Sequence, residues 1–183
     1  MGAIVILFLL ALALIFGPVV ANVMGHDLGV LTGAIMTASG IGLALAERFA
    51  AEGMKIVMAD VEAAALDTAA AAVHAKAPSV LAVRVDVSRA DDVERLARET
   101  YAAFGAAHVV CNNAGVAVIG AVHEHSLADW EWVLGVNLWG VIHGVRVFTP
   151  IMLRQDADCH VVNTASVAGL LSVPNMGIYC VSK

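Results

Sequence analysis

The stretch LTGAIMTASGIGLALAERF, Leu31–Phe49, decides how the rest of the chain reads. It follows a short run expected to be a strand, Gly29–Thr32, and passes through a glycine-rich turn into a helix beginning near Ile41. Glycines at such a turn let the backbone approach a pyrophosphate, and the helix N-terminus favours the negative charge. Eighteen residues beyond Gly42 a second apolar run, Lys55–Ala59, leads to Asp60. A carboxylate there accepts hydrogen bonds from an adenosine ribose and repels a 2′-phosphate. Neither Ser39 nor Val61 offers a cation for such a phosphate, so the pattern favours NAD over NADP.

Working outward, short β-branched runs alternate with alanine-rich amphipathic ones, the signature of repeated βαβ units. Strands are expected near 29–32, 55–59, 80–85, 107–111 and 160–164. Helices are expected over 41–51, 61–74, 90–104 and 127–153, with a last one starting near Asn175. Right-handed crossovers then give an α/β fold, a doubly wound parallel sheet of order 3-2-1-4-5, with a ligand crevice at the carboxyl ends of strands 1 and 4. Asp86 and the NNAG run Asn112–Gly115 fall where strands three and four should end, beside that crevice.

The chain has 183 residues and a formal charge of −6. The length suits one domain, and without a Lys/Arg cluster nucleic acid is not an expected partner. Cys111, Cys159 and Cys180 are widely spaced, which argues against a zinc site or a disulfide framework and fits a reducing compartment. Residues 1–26 stand apart from residues 27–183. They carry a run without charged side chains, densest over the 14 residues Ala3–Phe16. That length suits a signal-peptide core, whereas extension to Met24 approaches the roughly 20 residues that span a bilayer. A membrane anchor through residues 2–24, a cleaved signal and a misassigned start or unstructured extension all stay open. Basic residues beginning at Arg48 and Lys55 favour a cytoplasmic C-terminal domain if the segment is an anchor.

The chain closes on MGIYCVSK, with Tyr179 and Lys183 four positions apart and therefore on one helix face. Ser166, in NTASVAG, stands thirteen residues before that tyrosine. Taken in order, TGA…ASGIG, Asp60, Asp86, NNAG, Asn137 in GVNLWG, Ser166 and YCVSK resemble the short-chain dehydrogenase/reductase family over Leu28–Lys183. The resemblance implies a Rossmann-type fold, a nicotinamide cofactor, an alcohol or ketone substrate, and frequent dimers or tetramers. By similarity Tyr179 is the general acid/base, Lys183 lowers the tyrosine pKa and holds the nicotinamide ribose, Ser166 hydrogen-bonds the substrate oxygen, and Asn137 supports a water-linked proton relay. The cofactor would lie against Thr32, Gly33, Ser39, Gly40, Ile41, Gly42, Asp60, Asp86, Val87, Asn113, Ala114 and Gly115, with Tyr179 and Lys183 at its nicotinamide end. Chemically the pairing makes sense: a phenol ordinarily titrates near 10, so a phenolate base needs a neighbouring cation.

Two departures carry expectations of their own. The family turn reads TGxxxGxG, whereas seven positions separate Gly33 from Gly40, as though Ile35–Thr37 were inserted. Aligned without a gap, Met36 instead takes the first glycine position, where a side chain would crowd the phosphate. Either arrangement should weaken cofactor binding. Family members also continue past YxxxK, so the chain reads as a fragment whose catalysis is impaired, the alternative to an active oxidoreductase being a dinucleotide-binding or interaction module. His123 and His125 read as a polar loop or helix start, since no third metal ligand is near. Trp130, Trp132 and Trp139 read as packing or subunit contacts on one long helix.

Overall fold

A computed structural model of the chain describes the backbone of residues 32–36, and residues 40–77 and 79–183 in full. The N-terminal apolar segment, most of the strand expected over 29–32, and Ser39 lie outside the described residues. Strands β1 (Thr32–Met36), β2 (Lys55–Asp60), β3 (Val80–Arg84), β4 (Val109–Asn112) and β5 (His160–Asn163) form one parallel sheet in the order β3-β2-β1-β4-β5, as the alternating pattern predicts. Helices α1 (Gly40–Ala51), α2 (Ala63–His74) and α3 (Ala90–Phe104) connect successive strands up to β4. A longer helical run, α4 (Leu127–Leu134), a π-helical turn (Gly135–Trp139) and α5 (Gly140–Met152), leads to β5. A 3₁₀ turn (Val167–Gly169) and the short helix α6 (Gly177–Ser182) follow.

Strand alternation divides the core into two layers. Ile56 and Met58 of β2 and Val109 and Cys111 of β4 pack with Leu45 and Phe49 of α1 and Leu66 and Val73 of α2. Val57, Ala59 and Val110 point the other way, onto Val93 and Leu96 of α3 and Phe148 and Met152 of α5. Both faces of the central strands are therefore covered, which is why they read as unbroken apolar runs. Helix α3 has Asp91 and Asp92 in its first turn and stops at Gly105, whose φ of 79° a side chain would resist. Helix α4 starts on a reciprocal Ser126–Asp129 capping box.

The first strand differs from expectation. Gly33 pairs with Ile56 and Val109, Ile35 with Met58 and Cys111, and Met36 with Ala59. Residues 32–36 thus form the strand itself, and Ile35 and Met36 are not a loop insertion. Backbone pairing on both sides of an apolar Ala-Ile-Met run outweighs the turn propensity of Thr32-Gly33. Residues 37–39 alone join β1 to α1, the three-residue spacing of the ungapped family pattern, so Met36 holds the first glycine position. Among the described residues no helix is long and apolar enough to cross a membrane.

Candidate functional site

The carboxyl ends of β1 and β4 face the point where strand order reverses, and most of the described candidate residues lie at the strand ends around it. At the β2 end, Asp60 Oδ1 accepts the Glu62 amide at 2.9 Å, an Asx turn that fixes the carboxylate beside the crevice. Asp60 is paired in register with Arg84, whose Nε donates to the Val61 carbonyl at 3.1 Å. Sequence reading passed over this arginine: it is distant in the chain, and only the β2–β3 register brings it to the Asp60 turn. After β3, Asp86 Oδ1 accepts from the Ser88 amide at 3.0 Å and the Ser88 hydroxyl at 2.6 Å. The Asp86 amide donates to Asp92 Oδ2 at 2.9 Å, and this bond, with Arg95 beside it, holds the Asp92 carboxyl below the usual range. Val87 is buried against Gly140, where an added Cβ would come within 2.9 Å of it.

Helix α1 opens at Gly40, whose φ of 54° suits glycine at a close backbone approach. Gly42 is buried, and Ile41 is half-buried against the first core layer. Thr32 and Gly33 do not belong to this turn: they lie at the start of β1, level with the beginnings of β2 and β4. Strand pairing places them at the opposite end of β1 from the turn that leads into α1.

At the other end, Asn137, Lys183, Thr164 and Gly115 converge. Asn137 is 2% exposed and sits in the π-helical turn, a distortion frequent at functional sites. Its Oδ1 accepts the Val116 amide at 2.8 Å, and its Nδ2 donates to the Val116 carbonyl at 2.9 Å and to Ser182 Oγ at 2.8 Å. Ser182 Oγ in turn donates to the Tyr179 carbonyl at 2.8 Å, so the carboxamide ties the loop after β4 to α6. Lys183 Nζ lies 5.8 Å from the Tyr179 ring centre and donates to the Thr164 carbonyl at 3.2 Å. Burial pushes this ammonium below its ordinary pKa. The Thr164 hydroxyl donates to Asn113 Oδ1 at 2.8 Å. Thr164 and Ser182 escaped sequence reading because their contacts join residues far apart in the chain.

Ser166 Oγ accepts the Ala168 amide at 3.2 Å and caps the 3₁₀ turn. The turn's last residue, Gly169, lies against the Lys183 backbone, where an added Cβ would fall 2.5 Å from the carbonyl carbon. Ser166 therefore enters on a turn packed onto the segment that carries the Tyr-Lys pair. Gly115 is exposed at the crevice, and a Cβ there would stand in ordinary contact, 3.4 Å from Lys183 Nζ and 3.5 Å from Asn137 Oδ1. Ala114 is half-buried beside it. Among the described residues no cluster could hold a metal ion, and His123 and His125 belong to the loop before α4. Trp132 and Trp139 are half exposed on the long helical run, Trp139 lying 5.7 Å from the His143 ring.

A parallel sheet of this order, with an acidic β2 terminus and a Tyr-Lys pair near an asparagine from a π-turn, defines a Rossmann-type α/β domain. Residues 30–183 match the family model for short chain dehydrogenases, and the chain belongs to that family. It is 41% identical over 158 residues to 1-deoxy-11-beta-hydroxypentalenate dehydrogenase of Streptomyces arenae, covering 84% of this chain and 54% of the relative. It is 39% identical to 2-(R)-hydroxypropyl-CoM dehydrogenase of Xanthobacter autotrophicus, covering 84% of this chain and 62% of the relative. A short chain dehydrogenase/reductase from Burkholderia phymatum, solved in complex with NAD, superposes with a TM-score of 0.82 at 50% identity, over 83% of this chain and 54% of that one. The chain spans roughly half the length of the curated relatives it matches.

Proposed function

We propose that this chain carries the cofactor-binding and proton-transferring residues of an NAD-dependent oxidoreductase that interconverts a secondary alcohol and its ketone. The observation that carries the reading is the convergence of the half-buried Lys183 ammonium with Tyr179, Asn137, Thr164 and Gly115 at the ends of β4 and β5. The exposed Gly115 backbone beside Lys183 fits the approach of a cofactor ribose, and Asp60 fits an adenosine ribose at the other end of the crevice. When bound, the nicotinamide supplies the two-electron acceptor. Tyr179 takes the alcohol proton, the Lys183 ammonium favours the phenolate, and the Ser166 hydroxyl steadies the substrate oxygen. The names of the Streptomyces and Xanthobacter relatives each carry a hydroxylated compound, which supports a hydroxyl-bearing substrate here.

A second reading, a catalytically impaired dinucleotide-binding fragment or interaction module, is favoured by Met36 at the first glycine position of the turn, where a side chain crowds the phosphate and weakens a productive cofactor pose. Calorimetry with NAD and an assay against a panel of secondary alcohols separate the two. Turnover that disappears in Tyr179→Phe while NAD affinity holds supports the oxidoreductase. Binding without turnover in the parent chain supports the second reading, and absence of both defeats the oxidoreductase.

A further inference from the structure

The segment after β4 and the start of α6 meet through two glycines. Gly120 forms an isolated parallel bridge with Met176, and its amide donates to the Asn175 carbonyl at 2.9 Å. On the other side of that bridge the His125 ring packs against Gly120, where an added Cβ would fall 2.9 Å from Cε1. Gly177, the first residue of α6, faces Val122: a Cβ there would stand 2.7 Å from Cγ2 and 2.9 Å from Cβ. The second distance matters more, because rotating the valine side chain does not move its Cβ. Asn175 takes a left-handed φ of 60°, a conformation that asparagine tolerates better than most residues. Two residues beyond Gly177 comes Tyr179, and the intervening Ile178 is fully buried.

We infer that Gly120, Val122 and Gly177 form a clasp that sets the position of α6, and through it the position of Tyr179 and Lys183. They are positioning residues, and their bearing on turnover rests on the oxidoreductase reading above. The clasp itself does not rest on that reading. A helix as short as α6 is marginal by itself, so its placement depends on the surface it is laid against. With Gly120 hydrogen-bonded to Asn175 and Val122 filling the space over Gly177, the loop after β4 supplies that surface.

Gly177→Ala gives the clasp and helix propensity opposite signs. Propensity alone favours alanine in a helix, so the Cys180 amide, which donates to the Met176 carbonyl at 2.9 Å, would exchange more slowly. The clasp predicts the reverse, because the new methyl group must displace Val122 or the helix. The test is hydrogen exchange of the Cys180 amide in the full chain, for the parent, Gly177→Ala, Val122→Gly and the double variant. Exchange should be about tenfold faster in Gly177→Ala and return to within about threefold of the parent when Val122→Gly removes the opposing Cβ, the size of coupling usual for residues in contact. Slower or unchanged exchange in Gly177→Ala, or a double variant no better than the single one, overturns the clasp. Turnover of an alcohol by the same four proteins should fall where exchange rises and recover in the double variant. If the parent shows no turnover while exchange behaves as stated, the clasp stands and the oxidoreductase reading falls.

Discussion

Lys183 Nζ lies 5.8 Å from the centre of the Tyr179 ring while donating to the Thr164 carbonyl, so one ammonium joins α6 to the residue just past β5. Burial depresses the pKa of that ammonium from its ordinary 10.5. Between the depressed value and 10.5 the unfolded chain holds more of the proton than the folded one, and stability gains from rising pH across that window. Urea unfolding of the parent and of Lys183→Met should therefore diverge in the parent's favour as pH climbs from neutrality toward 10.5. A difference that stays flat or shrinks would show that the ammonium is as well solvated folded as unfolded.

Met36→Gly should strengthen NAD binding, because the register of β1 puts residue 36 at the first glycine of the turn and removes the case for an insertion. Deleting Ile35–Thr37 should instead break pairing with Met58, Ala59 and Cys111 and lower the melting temperature. Tighter NAD binding by the deletion variant at undiminished stability would restore the insertion reading.

Legibility in the sequence followed how local the determinants were. Helix α3 reads correctly because its acidic start, the spacing of Val93, Leu96, Ala97 and Thr100, and the stop at Gly105 all lie within one short window. Strand β1 does not, since Thr32-Gly33 carries turn chemistry and only pairing with β2 and β4 overrides it. In the site, Tyr179, Lys183, Ser166 and Asn137 are legible as residue types at fixed spacing. Arg84, Thr164 and Ser182 are not, because their roles arise from contacts that exist only after the sheet and α6 are assembled.

Asp60 and Arg84 are expected to pull cofactor choice in opposite directions. Asp60→Ala should narrow a preference for NAD over NADP by about 1 to 3 kcal/mol, the cost of an unpaired partner. With Asp60 removed, the Arg84 guanidinium, held at the end of β2 by its bond to the Val61 carbonyl, is a cation able to meet a 2′-phosphate, so adding Arg84→Ala should take away whatever NADP affinity Asp60→Ala has gained. Calorimetry on the two variants decides this, and NADP binding that is indifferent to Arg84 would place the phosphate elsewhere.

Gly144→Ala should be among the most destabilising single-methyl additions in the chain. A Cβ at Gly144 would fall 2.0 Å from Asn112 Oδ1, in a buried amide whose Nδ2 donates to Asn163 Oδ1 at 2.7 Å. Overpacking of this kind costs about 1 to 3 kcal/mol, readable as a fall in the urea midpoint. A variant as stable as the parent would mean that α5 can move away from β4 freely.

The contact between Asn137 and Val116 has the form of a rung in a β ladder, with a side chain standing in for a strand. One carboxamide presents an acceptor to the Val116 N–H and a donor to its C=O, as a neighbouring peptide would. The sheet's hydrogen bonding is thereby extended past the end of β4 by a residue that belongs to a helix. Aspartate in its place keeps the acceptor but sets an oxygen against an oxygen, so Asn137→Asp should loosen the Val116 amide more than its near-identical shape suggests. Hydrogen exchange at that amide, slow in the parent and fast in the aspartate variant, is the expected mark of this borrowed rung.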